Sequence, residues 1–99
     1  MTKKTNEEKH TVVLVEWEGL TKEKYEELRK QVNWEGDIPQ GLMSHIATFD
    51  KKGIRVTDVW ESEKDFNNFI QNRLAPVAEK LVDTKPNIEI YPLHAFFIP

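Results

Sequence analysis

Polar and apolar positions change rhythm several times along the chain. Met1 to Lys9 holds no periodic apolar position and reads as a flexible lead of residues 1–9, ahead of one domain over 10–99. Thr11-Val12-Val13-Leu14-Val15-Glu16-Trp17 is rich in β-branched residues and is bounded by Gly19, as a strand should be. Its unbroken apolar centre predicts burial on both faces, unlike a strand with one side in water.

A helical period follows. Thr21 is placed to cap a helix whose start carries Glu23, Glu26 and Glu27, near the positive end of the helix dipole. Tyr25, Leu28 and Val32 form its apolar stripe, and Lys22, Glu26, Arg29 and Lys30 form its wet face. Gly36, Pro39 and Gly41 then make a loop. Leu42–Phe49 and Ile54–Glu61 read as two strands joined by the polar turn Asp50-Lys51-Lys52-Gly53. Ser62, with Asp65 three residues on, resembles a capping box opening a second helix. The stripe of that helix is Phe66, Phe69, Ile70, Leu74, Val77 and Leu81. Pro76 lies inside it, which predicts a kink or restart near Leu74. A break at Asp83–Pro86, a fourth strand over Asn87–Tyr91 and an apolar tail through Phe96, Phe97 and Ile98 complete the chain.

The order is β-α-β-β-α-β. It predicts an α+β, ferredoxin-like domain with an antiparallel sheet and both helices on one face. The other sheet face then has apolar strand positions with nothing to cover them. Either the tail folds over that face, or a second copy does, with Phe96 and Phe97 at the seam.

Composition narrows the chemistry. A net charge of −3 and a pI near 5.6 argue against nucleic acid or an anionic membrane as partner. The absence of cysteine excludes disulfides, thiol nucleophiles and thiolate metal sites. No apolar run has the length of a membrane span, and the polar start lacks a signal-peptide core, so a cytoplasmic location is expected. No metal-ligand spacing, Gly-rich phosphate loop or nucleophile elbow is present. No metal and no cofactor are expected.

The hairpin carries the one constellation with a chemical reading. Counting back from the Asp50–Gly53 turn pairs Phe49 with Ile54, His45 with Asp58 and Met43 with Trp60, on one face of the sheet. A bulge would turn one set over. An imidazole beside a carboxylate on an apolar surface is a candidate acid/base pair, His45 acting and Asp58 fixing its tautomer. The same two residues can equally be a structural pair satisfying each other. Trp60, Met43, Phe49, Val56 and Phe66 are the candidate ligand-lining residues, Trp60 having core packing as its plainer role. His94 can face that pocket or the dimer seam, and His10 is expected to be solvated.

Four segments carry a resemblance: Gly41-Leu42-Met43-Ser44-His45-Ile46-Ala47, Arg55 to Ser62, Arg73-Leu74-Ala75-Pro76, and Tyr91-Pro92-Leu93-His94. Together they resemble the dimeric α+β barrel superfamily, closest to small proteins grouped with the antibiotic-biosynthesis monooxygenases. The resemblance implies a homodimer with a pocket between each sheet and its own helices. It also implies a cofactor-independent monooxygenase acting on a small aromatic substrate. A non-catalytic small-molecule binder and an isomerase or cyclase on the same scaffold are the alternatives. Val59-Trp60-Glu61-Ser62 is similar to the end of the third strand in heme-degrading members, but the second helix here has no histidine to ligate iron. Heme is therefore not expected.

Overall fold

A computed structural model describes residues 10–99. The lead over residues 1–9 lies outside the described residues. Strand β1 (Thr11–Glu18) is followed by helix α1 (Lys22–Val32), strands β2 (Leu42–Phe49) and β3 (Gly53–Trp60), a second helix in three segments, and strand β4 (Asn87–Pro92). The sheet order is β2-β3-β1-β4 with every neighbouring pair antiparallel. This is the ferredoxin-like α+β arrangement that the order of elements predicts. Among the described residues no helix is long and apolar enough to cross a membrane.

Local chemistry sets the ends of the elements. The Thr21 hydroxyl accepts from the Lys24 backbone N–H at 3.2 Å and opens α1. Asn33 closes that helix in the left-handed conformation, φ 59°. Arg73 reaches across and donates to the carbonyl of Val32 at 2.9 Å, satisfying one of the helix's last acceptors. The hairpin turn is fixed by Asp50, whose carboxylate accepts from the Lys52 and Gly53 backbone N–H groups. Gly53 is required there: a Cβ would stand 2.3 Å from the Trp17 carbonyl oxygen, at φ +153°.

The second helix restarts where proline predicts it to. Ser62 Oγ accepts from Asp65 N–H and opens α2 (Glu63–Phe69), which passes into a π-turn (Ile70–Leu74) and then α3 (Ala75–Leu81). Pro76 lies in the first turn of α3, where its missing N–H costs least. The chain thus absorbs the proline by widening one turn rather than by breaking the rod.

Two buried clusters lie between sheet and helices. One contains Trp17, Leu20, Leu28, Val32, Trp34, Ile54 and Ala78; the other contains Val13, Trp60 and Phe66. The far face of the sheet is unlike this. Val12 and Leu14 are only half-buried there, Ile46 is 58% exposed and Tyr91 is 47% exposed. The tail does not lie down over them as a lid, since Phe97 is 84% and Ile98 75% exposed.

One register expectation fails. The hairpin pairing holds from Phe49–Ile54 to Ser44–Val59, and then a bulge intervenes so that Leu42, not Met43, stands opposite Trp60. Met43 is the extra residue, pushed out to 39% exposure. Below the bulge the parity of the strand flips, and Leu42 takes the inward position.

Candidate functional site

The helix-facing side of β3 carries Ile54, Val56, Asp58 and Trp60, because alternate residues of a strand share a face. His45 comes to this face from β2, directly across from Asp58. Tyr25 comes from α1 above. Its ring belongs to the apolar stripe, so its hydroxyl must find a partner among the groups it covers.

These side chains form one connected run. His45 Nδ1 lies 2.6 Å from Asp58 Oδ1, and Tyr25 Oη lies 2.8 Å from His45 Nε2. The Trp60 indole N–H donates to the other carboxylate oxygen, Asp58 Oδ2, at 3.2 Å. A carboxylate only accepts, so Nδ1 of His45 carries the proton. In the neutral ring Nε2 is then the acceptor, and the Tyr25 hydroxyl donates to it. Both Asp58 oxygens and both His45 nitrogens are occupied. Asp58 is 6% exposed, so losing either partner would leave a buried polar group orphaned.

Aromatic rings hold the run in place. Tyr25 and His45 lie nearly parallel, 5° between planes, with centroids 6.2 Å apart. Trp34 packs against both, at 5.8 Å from Tyr25 and 5.3 Å from His45, and is itself buried. Trp60 sits between Phe66 and Phe69, at 5.7 and 5.3 Å, with 1% of its surface exposed. Its faces are already covered, so it orients Asp58 rather than offering an open stacking surface.

The run separates two spaces. Inside lies a small cavity of about 70 Å³ between sheet and helices, lined by His45, Asp58, Trp60, Val56, Phe66 and Leu42 among others. Outside lies a cleft of about 530 Å³ between α1 and β2, lined by Tyr25, His45, Trp34, Phe49, Lys22 and Arg29 among others. Tyr25, Trp34 and His45 belong to both. Burial is the main cause raising the Tyr25 hydroxyl above its ordinary pKa; Glu26, Glu35 and Asp58 add to it, while Arg29 opposes. Tyr25 is therefore a neutral phenol at neutral pH, a donor and not a phenolate. At the rim Arg29 makes a two-pronged pair with Glu35, at 2.6 and 2.8 Å, which pushes the Glu35 carboxyl below its ordinary range.

The sequence-predicted residues divide accordingly. His45, Asp58, Trp60, Val56 and Phe66 are brought together around the inner cavity. Phe49 lines the outer cleft instead, edge-on to Tyr25 at 5.9 Å. Met43 lines neither, because the bulge turns it away. His94 lies exposed beyond the end of β4 and lines neither space. His10 is half-buried rather than solvated, and its Nδ1 has no hydrogen-bond partner among the described residues. Tyr25, Trp34 and Leu42 were not singled out by sequence. The signal for Tyr25 was a hydroxyl on a sheet-facing stripe; Trp34 lies in an irregular loop, where periodicity carries no signal.

No protein-family model matches the chain, and no curated protein matches it. Solved structures do. A protein of unknown function from Nitrosomonas europaea superposes with a TM-score of 0.70 at 17% identity, covering 94% of this chain and 97% of that one. A monooxygenase of Streptomyces coelicolor, in complex with the ligand nanaomycin D, gives 0.60 at 17% identity over 96% of each chain. A hydroxynitrile lyase from Passiflora edulis gives 0.60 at 13% identity, covering 92% and 99%. At such identities the likeness carries the fold and not the chemistry.

Proposed function

We propose that the protein is an enzyme that takes a proton from a small, flat, weakly acidic substrate held at the Tyr25–His45 mouth, without a resident cofactor. The supporting observation is the saturated run Tyr25–His45–Asp58–Trp60 opening on a cleft large enough for such a molecule. The substrate proton passes to the Tyr25 oxygen as the Tyr25 proton passes to His45 Nε2. Asp58 stabilises the imidazolium so formed, and Trp60 keeps Asp58 in position. Tyr25 and His45 are then the residues that move the proton. Phe49, Trp34 and Arg29 bound the space where the substrate ring lies.

Two outcomes are open to the anion that remains. If the carbanion adds dioxygen, the peroxide takes back the proton and loses water to leave a carbonyl, one oxygen atom staying in the product and the other leaving as water, and the protein is a cofactor-independent monooxygenase; return of the proton to a different atom makes it an isomerase or cyclase. The likeness of fold to a monooxygenase supports the first. Anthrone tests both, through deuterium uptake at its acidic carbon under argon and oxygen consumption in air. The wild-type protein is expected to accelerate both, and Tyr25→Phe or His45→Ala to remove about 10²–10⁴-fold of the acceleration. Deuterium uptake without oxygen consumption assigns proton transfer alone. Binding with neither makes the protein a non-catalytic binder.

The same reading includes a homodimer joined through the far face of the sheet, where Leu14, Ile46 and Tyr91 lie beside water and the tail supplies Phe96 and Phe97.

A further inference from the structure

Two rows of side chains face each other across the outer cleft. Lys22, Tyr25, Glu26 and Arg29 stand three or four positions apart and share one face of α1. His45, Ala47 and Phe49 alternate along β2 and share the helix-facing side of that strand. The rows are in step. The Tyr25 hydroxyl meets His45, and the Lys22 ammonium lies over the Phe49 ring, 6.0 Å from its centroid. Between His45 and Phe49 the strand offers only the methyl group of Ala47, which leaves room for a ring on the floor of the cleft.

The charges around this space are not equally free. Arg29 is spent on Glu35, at 2.6 and 2.8 Å, and on Glu26 at 3.4 Å. One guanidinium against two carboxylates leaves a negative charge in excess at that end, which disfavours an anion there. The Lys22 ammonium makes no ion pair among the described residues and is held beside the cleft by the Phe49 ring. Tyr25 directs its hydroxyl hydrogen at His45 Nε2, so its oxygen is left as an acceptor. The cleft therefore offers a hydrogen-bond acceptor at its centre and an uncommitted cation at one end, with a small apolar floor between them.

We propose that the substrate is a ring acid: a flat ring lying over Ala47, its proton-donating group at the Tyr25 oxygen and a carboxylate, or another singly charged acid group, at Lys22. This names the substrate class of the site proposed above and rests on that site's Tyr25–His45 mouth. Lys22 is the specificity-determining residue. It is exposed, so its pair with the acid group is screened by water and salt and sets a preference of modest size.

Calorimetric titration of the full chain with 4-hydroxybenzoate and with its neutral amide, 4-hydroxybenzamide, tests this. At low salt the acid is expected to bind about two- to fivefold tighter than the amide. That preference should shrink as sodium chloride is raised to about 0.5 M. Lys22→Gln should remove it, and Lys22→Arg should keep it. Ala47→Leu, which fills the floor, should weaken both ligands by about tenfold or more, and Ala47→Val serves if the leucine variant does not fold. Equal binding of acid and amide to the wild-type protein, a preference that survives Lys22→Gln, or binding of neither ligand overturns the proposal. Binding of both that the Ala47 substitution leaves unchanged overturns it as well. The two readings fail separately, because anthrone carries no acid group. A Lys22-dependent acid preference without anthrone exchange keeps the assignment of Lys22 and discards proton transfer; anthrone exchange without an acid preference does the reverse.

Discussion

The two faces of the sheet are built from the same kind of strand and end in opposite states. Toward the helices, every polar group at the site has a partner, and Val13 and Trp60 are almost wholly removed from water. Toward the outside, Val12 and Leu14 are half-covered, and Ile46 and Tyr91 remain largely in water. The inner face is complete within one chain. The outer face sets the exposed apolar side chains Ile46 and Tyr91 among Glu16, Arg55, Thr57 and Glu89, with Val59 buried beside them; an exposed apolar patch of this kind is what association would cover. On the reading proposed above, proton transfer and self-association fall on opposite faces through the two-residue period of the strand.

Substitution at the centre of the inner face should have the largest effect. Trp60→Ala removes a ring packed between Phe66 and Phe69 and frees one carboxylate oxygen of Asp58. A loss of about 3–5 kcal/mol is expected in chemical denaturation. A loss under about 1 kcal/mol would mean that the inner face is loosely packed, and the contrast between the faces would go with it.

Asp58→Asn should come next. The amide has one acceptor oxygen where the carboxylate offers two, and the donors of His45 and Trp60 compete for it. One buried donor is left unsatisfied, at a cost of about 1–3 kcal/mol. If the relay operates, the same variant also slows anthrone exchange. A stability loss with exchange unchanged would make the pair structural.

On the outer face the expected change is in mass rather than in folding. Ile46→Asp places a charge on an exposed position, where the free chain should change by no more than about 0.5 kcal/mol. Sedimentation at micromolar concentration should show twice the chain mass for the wild-type protein and a single chain for the variant. A single-chain mass for both would leave the exposed apolar face without its partner and remove the dimer.

How much of this was legible beforehand follows from which interactions are local. The hairpin and the His45–Asp58 pairing derive from the two-residue alternation counted from a turn that Asp50 and Gly53 define. The count fails at Met43 because the bulge lies at the far end of the hairpin, where the pattern of Leu42 and Met43, both apolar, does not say which one faces inward. The restart at Pro76 was legible because a missing N–H is a property of one residue; that the chain would widen into a π-turn was not. Tyr25 joins His45 across 20 positions, and Trp34 reaches both from a loop. Such contacts depend on how a helix is rolled over a sheet, and no sequence period encodes that.

The smallest effect is the most specific to the site. Tyr25 and Tyr91 both have hydroxyls held above the ordinary tyrosine pKa, but for different reasons. Burial dominates at Tyr25, whereas a hydrogen bond to the Glu89 carboxylate, 2.9 Å away, dominates at Tyr91. In a Tyr91→Phe background the ultraviolet absorbance of tyrosinate reports Tyr25 alone, since the chain has two tyrosines. Its midpoint should lie above the ordinary value of 10.0. The sign for stability follows from linkage. The folded state holds the phenol proton more tightly than the unfolded chain, so above about pH 10 the unfolded chain binds fewer protons and stability falls as pH rises. Below that pH Tyr25 is protonated in both states and contributes no slope. Asp58→Asn removes one of the negative charges that raise the Tyr25 pKa, so it should bring the midpoint down slightly, by less than burial raises it. A midpoint at or below the ordinary value would mean that the hydroxyl is open to water and not held against His45. The relay would then lack its terminal donor, and the inner face would be no more complete than the outer.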